Sequence, residues 1–311
     1  MKAPDRQNPA KPRYSSLSPS DRRVRLNAIH VERNVTKQAV DTMDQLRRDH
    51  REGAETKCML LMGLPGVGKS HLLRRYRDVS QVPPVTTATS TFRPKPVVYV
   101  QLLSKATVNA TADKILKELM GMIITSRSQS KEDMVATQLK IHEVELLILD
   151  DFQHASELGR AKTQSQTADF IKSITKDTMV PVVLAGMPSI YDLVEGNDQL
   201  KSICPFMFEL DPFEYVTNVD MADFARFLDD LDELLPFDRP SKLSDPRTAT
   251  SIFQATGGLL RHIRNLVGQA GYIAIDENSP SIRASDFRRA FDKAVYEPSC
   301  AENPFTGLVA R

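Results

Sequence analysis

The 311-residue sequence predicts an α/β fold, a five-stranded parallel sheet with helices on both faces followed by a small all-α domain. Three observations carry that reading. An apolar run ends in a glycine-rich loop that turns at once into a helix, in "LLMGLPGVGKSHLLRRYR" at 60–77. The nearly continuous apolar stretch "VELLILDD" at 144–151 ends in two acids, as expected of a strand buried in a parallel sheet. After residue 214 strand-like segments cease and only helical periodicity remains, in "NVDMADFARFLDDLDELL", "SIFQATGGLLRHIRNLVGQAGYIAI" and "SDFRRAFDKAV".

Taken in order, residues 1–17 are polar and proline-rich and read as a disordered basic arm. Ser18 as N-cap, Pro19 at the first helical position and Asp21 three residues after the cap start a helix. A second spans Thr36 to Arg51 with Val40, Met43 and Leu46 on one face, so that 18–56 forms a helical extension. The α/β domain occupies 57–213. Its strands are expected at Cys58–Met62, within "PVVYVQL" at 96–102, at Val144–Leu149, at Met179–Gly186 and within 205–213. A long loop is expected at 78–94, helices over Ala112–Ile124 and Gln164–Lys176, and a polar stretch between the first of these and the acidic strand. The helical domain covers 214–296, and 297–311 is a tail.

Gly63, Gly68, Lys69 and Ser70 fit G-x-x-x-x-G-K-[ST], the phosphate-binding loop between a strand and a helix. Glycine lets backbone N–H groups approach an anion closely, so Gly63, Leu64, Pro65, Gly66, Val67 and Gly68 form the cradle. The helix opening at Lys69 adds unsatisfied N–H groups and a partial positive charge. Lys69 is placed to reach the β- and γ-phosphates of ATP and Ser70 to take Mg2+. His71 follows in the same turn as a polar neighbour of the nucleotide. Asp150, delivered to the C-terminal edge of its strand, is expected to hold Mg2+, and Asp151 to orient or deprotonate the attacking water.

Composition excludes several alternatives. The first twenty residues lack an apolar core segment, so neither a signal peptide nor a membrane span is expected, and the cytoplasm is the default location. Cys58, Cys204 and Cys300 are odd in number and far apart, which argues against a disulfide framework or a zinc site. Net charge is +1, but residues 1–57 carry thirteen Lys or Arg against eight Asp or Glu. That arm suits nucleic acid or an acidic partner, or is simply solvated. With 6% aromatic residues and no Trp, no stacking platform for single strands is evident.

The order of these motifs resembles a known family. "GLPGVGKS", an acidic strand "LLILDD" separated from it by another strand, and "TGGLLRHIR" in a helical lid are similar to AAA+ ATPases. More narrowly, "SPSDRRVRLNAIHVERNVTKQAVDTMDQL", "VYVQLLSKATVNATADKILKEL", "LILDDFQH", "PVVLAGMPS" and a terminal "NPF" at 303–305 resemble the TniB/TnsC ATPases that select target DNA in transposition. The resemblance implies a P-loop NTPase that forms a ring or helical filament on double-stranded DNA and meets a transposase and a TniQ-like adaptor. It implies a lid arginine sensing the γ-phosphate at Arg261, with Arg264 as rival. It places DNA-contacting loops at Lys105 and Thr107 and at Arg127 and Lys131, where phosphate rather than base contacts are expected.

The chain departs from that pattern in three places. Met187 stands near the end of the fourth strand, where a polar sensor is usual, so that the sensor is either absent or shifted to Ser189. The acid after the metal ligand is Asp151, not Glu. No arginine precedes the fifth strand, leaving Lys201 as the nearest cation. Slow hydrolysis is expected from the last two unless another residue or a partner substitutes for the finger. The alternatives are a replication initiator or helicase loader, a nucleotide-dependent binding module with little hydrolysis, and a small-molecule kinase. "NPFTGLVAR" reads as a docking tail.

Overall fold

The computed structural model describes residues 14–86, 91–104, 107–122, 130–155, 161–293 and 298–308. The chain runs through α1 (Pro19–Ala28), α2 (Asn34–Arg51), β1 (Met59–Gly63), α3 (Lys69–Val79), β2 (Val85–Thr86), β3 (Thr91–Phe92), β4 (Val97–Gln101), α4 (Val108–Met120) and α5 (Lys131–Ile141). It continues through β5 (Leu146–Asp150), α6 (Ala161–Thr178), β6 (Val182–Gly186), α7 (Ile190–Glu195), α8 (Asp198–Ile203) and β7 (Phe206–Leu210), then α9 (Asn218–Leu234), α10 (Pro246–Thr256), α11 (Leu260–Asp276) and α12 (Ala284–Asp292).

These elements form two compact units, one of residues 34–211 and one that joins the N-terminal residues to 33 with those from 212 onward. The helical extension expected at 18–56 is thus divided, α1 going with the C-terminal helices and α2 with the sheet.

In the sheet unit the strand order is β4-β5-β6-β1-β7, all parallel. The acidic strand β5 and the loop-bearing strand β1 therefore flank β6, the separation expected from the sequence. Strands β1, β5 and β6 are buried along their whole length, which is why they read as apolar runs rather than alternating ones. Leu60, Leu147, Leu149 and Leu184 pack in one core with Ile115, Leu116, Ile171 and Ile174 from the helices. Helix α2 buries Ala39, Met43 and Leu46 and is anchored by Arg47, whose guanidinium donates to Glu145, Tyr76 and Ser80.

Two segments depart from expectation. The loop at 78–94 contains the antiparallel ribbon β2–β3, pairing Val85 with Phe92. The polar stretch before β5 holds α5, capped by Ser130, whose hydroxyl accepts from Asp133 N–H.

The helical unit is built around aromatic residues. Phe213, Phe224, Phe227, Phe237, Phe287 and Phe305 share its core with Leu26 of α1. Helix α1 starts as the sequence indicates, with the Ser18 hydroxyl accepting from Asp21 N–H and Pro19 in the first turn. Its Arg22 is buried, donating to the carbonyls of Pro236 and Ser279 and lying 4.9 Å over the Phe237 ring. Of the expected disordered arm, residues 1–13 lie outside the described residues, while Tyr14–Ser16 form a 3-10 turn whose Tyr14 N–H donates to Asp238.

The "NPF" segment is a strap, not a free tail. Phe305 is fully buried, stacked on Phe287 at 5.3 Å, the Asn303 amide donates to Arg288 O and Asp292, and the carbonyl of Pro304 accepts from Ser251. An aromatic ring flanked by a capping amide is worth more inside a small core than in water, which is why the segment folds back. Gly258 is required for a similar closeness. Its φ is +70°, Phe213 N–H donates to its carbonyl at 2.9 Å, and a Cβ would lie 2.1 Å from the Phe213 carbonyl oxygen. Among the described residues no helix is long and apolar enough to cross a membrane.

Candidate nucleotide site

The site begins where β1 ends. Gly63 sits so close to β7 that a Cβ would lie 2.3 Å from the Leu210 carbonyl oxygen, so no other residue fits there without moving the strand. The loop then turns through Gly66 and Gly68 at φ +92° and +106°, in the left-handed region that glycine adopts without cost. Gly68 is the N-cap of α3 and offers no side-chain cap, so the first-turn N–H groups of α3 have no capping side chain. Lys69 is buried, and its Nζ donates to the carbonyls of Gly63 at 2.6 Å and Leu64 at 3.1 Å. The loop thereby curls around its own lysine, in a form that an anion would enter by exchanging with those two carbonyls. Ser70 is half-buried beside it, and His71 points outward, exposed, in the same turn.

Asp150 ends β5 and is fully buried. Its Oδ2 accepts from the Tyr99 hydroxyl at 2.6 Å and its Oδ1 from Asp151 N–H at 2.9 Å. Both donors are neutral, and among the described residues the carboxylate has no ion-pair partner. Arg74 attracts it from beyond ion-pair distance, but a buried anion without a contacting cation is costly, so this position favours one. Hard oxygen donors from Asp150 and Ser70 suit Mg2+, which keeps waters and phosphate oxygens as its other ligands. The described residues contain no group of three or more His, Cys, Asp or Glu placed to hold a metal. Burial first, and then the bond to Asp150, push the Tyr99 hydroxyl far above its usual range and keep it a donor.

Asp151 leaves the strand at φ +57°, a conformation that costs a non-glycine residue and that recurs at functional sites. Its two carboxylate oxygens face different amides. Oδ2 accepts from Gln101 Nε2 at 2.7 Å, and Oδ1 from Gln153 Nε2 at 3.4 Å. Sequence reasoning missed both glutamines. Gln101 ends β4 and is the register partner of Asp150, so the pairing of β4 with β5 brings it there.

Gln153 also accounts for the end of β6. Its Oε1 accepts from Met187 N–H at 3.2 Å and would lie 2.5 Å from a Cβ on Gly186. The polar group at that strand end thus comes from the turn after β5, and Gly186 leaves it room. Ser189, the expected substitute, is the N-cap of α7 and makes no side-chain cap bond. Lys201 forms an ion pair with Glu195 at 2.6 Å.

The remaining candidates are on other elements. In the helical unit Arg261 is exposed in the first turn of α11, whereas Arg264 donates to Asn27 O at the end of α1. Thr107 caps α4 by accepting from Ala110 N–H, and Lys131 forms an ion pair with Asp113 at 2.5 Å. Lys105 and Arg127 fall outside the described residues.

Similar solved structures share this architecture. They include Aeropyrum pernix ORC2 in ADPNP–ADP complexes, 15% identical over 86% of this chain and 70% of that one with a TM-score of 0.59. Cdc6p from Pyrobaculum aerophilum is 14% identical over 88% and 71%, with a TM-score of 0.57. A. pernix ORC1 in complex with DNA is 17% identical over 87% and 69%, with a TM-score of 0.53. At such identities the likeness establishes the fold, the AAA+ form of the P-loop NTPases. None of the curated proteins matches the chain in sequence. The model of the bacterial TniB protein family matches residues 25–204, more than half of the chain, and the protein belongs to that family.

Proposed function

We propose that the protein is an ATP-dependent AAA+ regulator of DNA transposition that assembles on double-stranded DNA with little regard to sequence and recruits a transposase. One observation carries the nucleotide part of this reading: a buried lysine amine that donates to the carbonyls of Gly63 and Leu64 in the loop, on a helix N-terminus without a side-chain cap. The regulatory part rests on membership of the TniB family.

In this reading the loop amides and Lys69 bind the phosphates, Ser70 and Asp150 hold Mg2+, and Asp151 orients the attacking water. Bound Mg2+ would supply charge neutralisation at the phosphates. Arg261 is the residue that the family resemblance assigns to sensing the γ-phosphate. Hydrolysis is slow, because Asp151 is a short acid with both oxygens engaged and Lys201 is paired with Glu195 rather than replacing an arginine finger. A slow ATPase acts as a timer, ATP favouring the assembled state and hydrolysis releasing it.

Fluorescence anisotropy of a long random-sequence duplex, titrated with protein in ATP, a non-hydrolysable analogue, ADP or no nucleotide, tests this directly. Binding should require ATP or the analogue, weaken steeply with salt as phosphate contacts demand, and disappear in Lys69→Ala. Binding that ignores nucleotide, or that survives Lys69→Ala, would refute the reading.

A further inference from the structure

The two acids at the end of β5 share a common support. Arg74 lies on α3 one turn beyond Ser70, on the same face of the helix that the phosphate loop opens. Its guanidinium reaches two side chains of β4: Nε donates to the Tyr99 hydroxyl at 3.2 Å, and Nη2 donates to Gln101 Oε1 at 2.9 Å. Tyr99 in turn donates to Asp150, and Gln101 to Asp151. Tyr99 and Gln101 are two residues apart on the strand and so share a face of the sheet, which is what lets one planar fork span both.

The chemistry of the fork fixes the direction of every bond in this relay. A guanidinium has five donors and no acceptor. The Tyr99 oxygen therefore accepts from Arg74, and its single proton is left for Asp150. The Gln101 amide can face Arg74 only through Oε1, so its NH2 end is turned towards Asp151. Without the arginine the hydroxyl could rotate away and the amide could flip, presenting an oxygen to a carboxylate. The guanidinium also stacks 5.5 Å over the Tyr99 ring, and Arg77, one turn on, lies 5.6 Å from the same ring, so the phenol cannot swing freely.

We infer that Arg74 is a positioning residue that orients, through Tyr99 and Gln101, both the metal-holding acid Asp150 and the water-orienting acid Asp151. The inference rests on the reading of these acids given above and deepens it. Arg74 attracts both acids by charge and reaches each by hydrogen bonds only through Tyr99 and Gln101. It ties the helix that binds phosphate to the acids that serve the metal and the water, so that one rigid relay sets their relative geometry. Outer partners of metal ligands typically matter by about ten- to a hundredfold in metal affinity or activity, and that is the scale expected here.

The test uses the full-length protein and three variants, Arg74→Ala, Arg74→Lys and Tyr99→Phe. A fluorescent non-hydrolysable ATP analogue is bound first without metal, and Mg2+ is then titrated. Metal-free analogue binding should be unchanged in all three variants, while the Mg2+ half-saturation rises about tenfold or more and kcat falls with KM held. Lysine should fail to rescue, because a point charge cannot reproduce a fork, whereas a role in helix charge or solubility would be rescued by it. Wild-type Mg2+ dependence and kcat in Arg74→Lys and Tyr99→Phe would overturn the inference.

A second readout needs no nucleotide. The side-chain amide protons of Gln101, assigned by their loss in Gln101→Leu, should appear by NMR as two well-separated signals in the wild type and move to the position of exposed glutamines in Arg74→Ala. If they do not move, the relay does not exist. If they move but no analogue binds the wild type, the relay stands and the reading of the site as a nucleotide site fails.

Discussion

The sheet unit and the helical unit use polar groups in opposite ways. At the end of the sheet the polar groups are held by neutral loop and strand groups. Lys69 is lodged on loop carbonyls, Asp150 is buried with only neutral donors, and Asp151 is held at φ +57°. In the helical unit they close on themselves. Arg22 meets carbonyls and an aromatic face, fully buried Asp286 is paired with Arg289, and Asn303 bridges Arg288 and Asp292. The first pattern orients charged groups at a sheet edge, and the second stabilises a shape. Substitutions should therefore separate the two units, affecting chemistry without stability in one and stability without chemistry in the other.

Asp151→Asn should give the largest effect and leave folding intact. It keeps the shape and the amide contacts on one side but removes the charge and the basic oxygen. ATP turnover should fall by about 10²–10⁴-fold, the usual contribution of a positioned acid or base, with analogue binding and the melting temperature unchanged. Turnover that stays within the scatter of the wild type would move the water-orienting role to another residue, and Gln153 would be the first to examine.

Phe305→Ala addresses the other unit. Its ring is fully buried against Phe287 and within 6.5 Å of Phe291. Truncating such a ring costs about 3–5 kcal/mol. In differential scanning calorimetry the loss should fall on the transition that does not shift when a nucleotide analogue is added, since a ligand stabilises the unit that binds it. Loss of analogue affinity at a temperature where Phe305→Ala is fully folded would contradict the separation.

The same contrast explains which parts of the site the sequence displays and which it hides. The phosphate loop is a local motif. Gly63 to Ser70 needs eight consecutive residues and one backbone path, so the sequence displays it whole, and the acids of β5 are announced by the apolar strand before them. Tyr99, Gln101 and Arg74 carried no such signal. Each is an ordinary polar residue on a predicted element, and only the register of β4 on β5 and the facing of α3 bring them to the acids. Gln153 was hidden for another reason, since the usual position of its amide is on the next strand. Helix α5 was legible in part. Ser130 followed by Asp133 is a capping signal, but its buried residues Met134, Val135 and Leu139 form too narrow an apolar stripe to stand out among Lys, Glu, Asp and Gln. The strap at 303–305 looked like a docking motif because nothing in its sequence says which core it enters.

The smallest effect belongs to Ser18, and it tests where the helical unit begins. Helix α1 lies more than 180 residues from the other helices of that unit in sequence, yet its Leu26 sits in their core and a Cβ on Gly271 would lie 2.6 Å from the Leu26 side chain. If α1 is an integral part of the unit, its N-cap contributes to the whole unit's unfolding. Ser18→Ala removes the acceptor for Asp21 N–H while Pro19 keeps the helix start in place, and such a cap is worth about 1 kcal/mol. The expected outcome is a small downward shift of the same calorimetric transition that Phe305→Ala lowers, with nucleotide binding untouched. A substitution without effect on that transition would mean that α1 frays independently of the core it touches. The unit would then be held by Arg22 and the aromatic residues, not by the order of its first helical turn.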